Sequence, residues 1–75
     1  MFTTHTIYSS LKDYPGEFVC RRHFALAGRV VPESELFARA ASLDDCRKQL
    51  LRKAPGLVRL DRDPKDDATI VEVWL

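Results

Sequence analysis

The stretch from Ser42 to Leu75 constrains the fold more than any other part of this chain. It opens on a helix-start signal. Ser42 is a good N-cap, and Asp45 three residues on imitates a capping box with a shorter carboxylate. Asp44 and Asp45 suit the positive end of the helix dipole, and Arg52 and Lys53 suit the negative end. Leu43, Cys46, Leu50 and Ala54 recur at helical spacing to form one apolar stripe, bordered by Leu51. Asp44 stands one turn before Lys48, a favourable surface pair. Pro55-Gly56 ends the helix. Two strands follow, Leu57 to Asp61 and Thr69 to Leu75, joined by a loop of turn formers from Asp63 to Asp67. The last strand runs to the final residue, so the chain end is expected to lie in a sheet.

Upstream, Glu17 to Leu26 alternates with period two. Phe18, Cys20, Phe24 and Leu26 share one parity, interrupted by Arg22. Val19, Arg21, His23 and Ala25 share the other. Gly28 is the natural turn residue, Val30-Val31 continues the hairpin, and Pro32 limits its pairing. Leu36 to Ala40 reads as a further strand. Residues 1–15 are the least legible, because threonine and serine dilute Phe2, Ile7, Tyr8 and Leu11. They are assigned to an N-terminal arm with a short extra strand near Phe2–Tyr8, and residues 16–75 to a single domain. The expected fold class is α+β: a small antiparallel sheet of about four strands in the order β-β-α-β-β, with one helix packed on one face.

A helix over one face leaves the other uncovered. The parities predict that this open face carries Val19, Phe37, Ile70 and Trp74 among Arg21, His23, Arg39, Arg59 and Glu72. An aromatic-bearing open face calls for a partner. The chain has 75 residues, and a core of that size is worth only about 3–5 kcal/mol net. The two cysteines, Cys20 and Cys46, are too few for a disulfide framework and read as small buried hydrophobes. That usage points to a reducing cytoplasm. The N-terminus lacks the basic and apolar regions of a signal peptide. No apolar run approaches the ~18 residues of a membrane span, so no membrane association is expected. Self-association is the missing stabiliser.

Charge is unevenly spread. Nine lysines and arginines stand against five acidic residues between positions 16 and 60, and two against five from 61 onward. Such a division suits a solvated surface, a head-to-tail oligomer, or a weak site for a polyanion. Arg21, Arg39 and Arg59 are the candidate nucleic-acid contacts, with Phe37 and Trp74 as stacking rings. The near-neutral overall charge and the lack of an RNP-type motif argue against strong binding.

Two constellations invite chemistry and fail on geometry. Cys20 and His23 are three apart, which on a strand sends their side chains to opposite faces. A zinc site would also need more ligands than the chain supplies nearby. Asp61, Asp63, Asp66 and Asp67 crowd one loop, but without the EF-hand spacing. No phosphate loop or catalytic motif is present. No catalytic residue, metal ligand or cofactor is expected.

The segment from Phe18 to Leu75 resembles a group of short uncharacterised bacterial proteins, prophage-borne ones among them. The likeness is carried by Arg21-Arg22, Val31-Pro32, the helix opening Ser42 to Arg47, Gly56 to Leu60, and above all the closing Asp66 to Leu75. The resemblance implies a bacterial cytoplasmic origin. No activity is attached to the group, so it transfers no functional residue.

The expected function is therefore a non-enzymatic binding or interaction module, dimerising with itself or meeting an unidentified protein partner. Its expected contact residues are Phe37, Ile70, Glu72 and Trp74. A weak nucleic-acid-binding domain is the first alternative. A metal-dependent enzyme built on the Asp63–Asp67 loop is the second.

Overall fold

A computed structural model describes residues 2–60 and 68–75. Its elements are β1 (Phe2–Ser9), β2 (Phe18–Leu26), β3 (Arg29–Pro32), β4 (Ala38–Ala40), α1 (Leu43–Lys53), β5 (Arg59–Leu60) and β6 (Ile70–Trp74). The fold is α+β, with one helix and one antiparallel sheet. The sheet has six strands where the sequence predicts about four, ordered β3-β2-β1-β6-β5, with β4 also paired to β2. β4 takes the Phe18–Cys20 end of β2 and β3 takes the His23–Leu26 end, so the two share one edge.

Phe2–Ser9, where the sequence predicts an arm with a short strand, is the strand between β2 and β6. It pairs with β2 over its full length, from Phe2 opposite Ala25 to Ser9 opposite Phe18. On its other side His5 lies opposite Trp74 and Ile7 opposite Glu72. Its threonines and Ile7 are β-branched and favour extended backbone, so the strand rests on conformation and pairing more than on apolar alternation. β2 and β3 are joined by Ala27 and Gly28, both with positive φ (45° and 80°). This is the geometry that a two-residue hairpin demands at both central positions.

The helix forms as its signals predict. The Ser42 side chain accepts a hydrogen bond from the Asp45 amide at 3.2 Å. Asp44 and Lys48 pair at 3.1 Å. Cys46 and Leu50 are its buried residues, and they join Ile7, Cys20 and Ala38 in the core. Phe18, Phe37, Leu43, Leu57, Val71 and Trp74 pack around that cluster. Residues directly opposite in an antiparallel pair share a face. Ile7 is therefore the reference for the helix side, and Cys20, Glu72 and, two residues on, His5, Arg22 and Trp74 lie with it.

The far face follows from the same register. It carries Thr4, Thr6 and Tyr8 of β1 and Val19, Arg21, His23 and Ala25 of β2. Val73 opposite Thr6 and Ile70 opposite Tyr8 extend it onto β6. α1 is the one helix among the described residues, and it covers the other side.

Candidate functional site

The register redistributes the expected contact residues. Ile70 stays on the far face, but Phe37, Glu72 and Trp74 belong to the helix side, which corrects the sequence expectation. A register shift between Ile7 and Tyr8 is the cause in β6: Ile7 pairs with Glu72 while its neighbour Tyr8 pairs with Ile70. Such a bulge adds one residue to one strand and breaks strict alternation. Val71 thus packs on the core and the adjacent Glu72 also meets the helix. Phe37 precedes β4 and escapes strand parity altogether. Its ring meets the His5 ring edge-on at 5.2 Å, and the Arg22 guanidinium lies 4.6 Å from its centroid.

Glu72 is the most constrained polar group. It is 5% exposed. The Arg47 guanidinium grips both of its carboxylate oxygens, with Nε at 2.9 and 3.1 Å. Arg59 donates at 3.1 Å and the Trp74 indole at 3.2 Å. These donors, Arg47 first, hold its carboxyl below the usual carboxylate range despite burial. The cluster ties α1, β5 and β6 together. Its oxygens are already engaged, so it reads as a structural joint.

The candidate nucleic-acid contacts are likewise divided. Arg59 lies on the helix side, engaged with Glu72. Arg39 is paired with Glu17 at 2.8 Å and lies over the Tyr14 ring. Arg21 points its guanidinium at the carbonyls of Glu33 and Ser34, at 2.6 and 3.2 Å. The aromatic neighbours on the far face are Tyr8 and His23, 6.5 Å apart between ring centres. No periodic signal marks Tyr8 in the sequence, because threonine and serine dilute the apolar pattern of residues 1–15.

The cysteines are packing residues. Cys20 and Cys46 are fully buried, and burial pushes their thiols up to about 12 and about 11. A thiol so raised carries negligible thiolate at neutral pH and is a poor nucleophile. Cys20 faces the helix and His23 the far face, as their odd spacing dictates. Among the described residues no group of three His, Cys, Asp or Glu side chains is placed to hold a metal ion. The Asp61, Asp63, Asp66 and Asp67 loop lies outside the described residues. No described helix is long and apolar enough to cross a membrane.

His5 is 6% exposed, and its Nδ1 is buried without a hydrogen-bond partner among the described residues. Burial, then the Arg22 charge, lowers its pKa. His23 is lowered by burial and then by Arg21. In both cases the unfolded chain takes up the proton more readily than the folded one. Stability is therefore complete above pH of about 6.5 and falls as pH drops through that value. Thermal melts across this window are expected to show the fall, and His5→Gln to reduce it. A melting temperature that stays constant between neutral pH and the carboxylate range contradicts this assignment.

One concavity among the described residues is a groove of about 490 Å³ between β4 and the C-terminal half of α1, lined by Tyr14, Glu35, Phe37, Arg39, Gln49 and Lys53 among others. Comparison with protein families, curated proteins and solved structures finds no match, so the functional reading rests on these residues.

Proposed function

We propose that this chain is a non-enzymatic binding module that pairs with a second copy of itself through the far face of its sheet. The observation that carries this reading is an exposed apolar row at the β3 end of that face, beyond its middle, where Val19 and Thr6 are already buried. Val30 lies opposite Ala25, and Ala25 opposite Phe2. Val30 is 68% exposed and Phe2 52%. Leu60, opposite Val73, adds exposed apolar surface at the other edge. A face of this kind favours burial against a like surface.

The charges on the face support a self-complementary contact. Burial, then the Arg21 charge, lowers the His23 pKa and so favours its neutral form. Arg21 is turned to backbone carbonyls and Arg39 to Glu17. A two-fold pairing thus brings apolar rows together with Arg39 neutralised by Glu17 and with Arg21 held at its own carbonyls. Sedimentation of the wild type over a concentration series is expected to show a dimer at micromolar concentration. Val30→Glu, at an exposed position that does not enter the core, is expected to give a folded monomer. A wild type that stays monomeric at millimolar concentration overturns the proposal.

A weak nucleic-acid-binding role is the second reading. Tyr8 and His23 beside Arg21 supply rings and a cation on one face, as stacking on single strands requires. It ranks below self-association because Arg39 and Arg59 are committed to carboxylates. Oligonucleotide binding that weakens steeply with salt and is lost with Arg21→Ala would raise it above the first.

A further inference from the structure

β4 lies at an edge of the sheet, and its one partner strand among the described residues is β2. An edge leaves backbone N–H and C=O groups pointing outward, ready to pair with another chain. Here an amide of β4 and the carbonyl of Phe37, the residue just before it, are capped by side chains of α1. The Arg39 amide donates to Gln49 Oε1 at 3.1 Å, and Lys53 Nζ donates to the Phe37 carbonyl at 2.7 Å. Gln49 and Lys53 are four residues apart, so they project from one side of the helix about 6 Å apart along its axis. Two residues of strand advance about 6.6 Å. One helical turn therefore presents an acceptor and a donor at nearly the spacing that a neighbouring strand would use.

Both capping bonds are exposed to solvent. Exchanging them for backbone bonds replaces one hydrogen bond with another at little net cost. The groove alongside has a partly apolar wall, supplied by Leu36, Phe37 and the Tyr14 ring, and Glu35 also lines it. The charge that selects an occupant is the one seated at the strand edge itself. Arg22, Arg39, Arg47 and Lys48 each have a carboxylate partner. Lys53 has none among the described residues, and its ammonium rests on a carbonyl 5.4 Å from the centre of the Phe37 ring.

We infer that the groove between β4 and α1 is a strand-addition site for an extended acidic peptide segment of a protein partner. The peptide backbone takes the places of Gln49 Oε1 and Lys53 Nζ on the outer edge of β4. One of its apolar side chains lies against Leu36 and Phe37. The released Lys53 ammonium meets a carboxylate of the peptide. Main-chain pairing supplies affinity and the two side-chain contacts supply selectivity, the usual division of labour in strand addition. The site lies apart from the apolar row of the far face and does not depend on self-association.

The test uses the labelled full chain carrying Val30→Glu, so that self-association does not contribute. The probes are a capped five-residue peptide alternating valine and glutamate and its valine–lysine counterpart. With the acidic peptide, amide shifts are expected at Phe37, Arg39 and Lys53, together with the Gln49 side-chain amide. The acidic peptide is expected to bind at least about tenfold more tightly than the basic one. Lys53→Met is expected to remove most of that preference, and Gln49→Ala to preserve or strengthen binding because it removes an internal competitor. Equal responses to the two peptides overturn the inference. So does silence of the Phe37–Ala40 amides at millimolar peptide, as do shifts there that follow protein concentration alone, which would assign the edge to a second copy. If self-association fails while these shifts appear, the far-face reading falls and this one stands.

Discussion

Ile7→Ala is expected to leave the protein largely unfolded at room temperature. Ile7 is fully buried at the centre of β1, opposite Cys20 on one side and Glu72 on the other, and it packs with Cys46 and Leu50 of α1. Truncating a buried isoleucine costs about 2–5 kcal/mol, including the cavity that remains. A chain this small has about 3–5 kcal/mol to lose. Urea unfolding followed by Trp74 fluorescence measures the loss directly. Phe2→Ala, on the same strand but exposed, is the control and is expected to shift the midpoint far less. Equal, small effects at the two positions would mean that β1 does not anchor the sheet.

Arg47→Ala carries the second large effect. It withdraws the main partner of a carboxylate that water barely reaches, leaving Glu72 with Arg59 and the Trp74 indole. Breaking a buried pair from one side typically costs about 3–5 kcal/mol. Arg47 is itself a third exposed and Arg59 more than half, so solvent relieves part of this, and about 2–3 kcal/mol is expected. Replacing both partners, Arg47→Leu with Glu72→Leu, is expected to cost less than Arg47→Ala alone. No buried charge is then stranded. The pH dependence has a definite sign. The folded-state pKa of Glu72 is depressed, so its contribution is complete above the ordinary carboxylate value. It is lost as pH falls through the lower, folded value. A double variant less stable than Arg47→Ala would show that the carboxylate contributes more than its partner alone.

The helix was legible because its signals are local. Ser42, Asp45, the Leu43–Cys46–Leu50 stripe and Pro55-Gly56 each act within a turn or two of the residues they organise. β2 was legible by alternation, and its Phe18 and Cys20 do face the core. β1 was not, because its helix-side residues are Thr3, His5, Ile7 and Ser9, and Ile7 is the single apolar one. Its place between β2 and β6 comes from long-range pairing that no local pattern encodes. β6 misled in a different way. Its sequence alternates cleanly, but the bulge at Ile70–Val71 carries Glu72 and Trp74 to the helix side. Phe37 was assigned by the parity of a strand that begins only at Ala38. The candidate site suffered most, since surface identity in a sheet turns on parity and one added residue reverses it. The capped edge of β4 was beyond reach, because it depends on Gln49 and Lys53 meeting a strand ten or more residues away.

The most direct test of the central claim is a dilution series of labelled wild-type protein, followed amide by amide. Self-association through the far face predicts concentration-dependent shifts at Phe2, Thr4, Ala25, Val30 and Val73, with the amides of α1 unmoved. Shifts confined to α1 and β4, or none over the whole range, would contradict it.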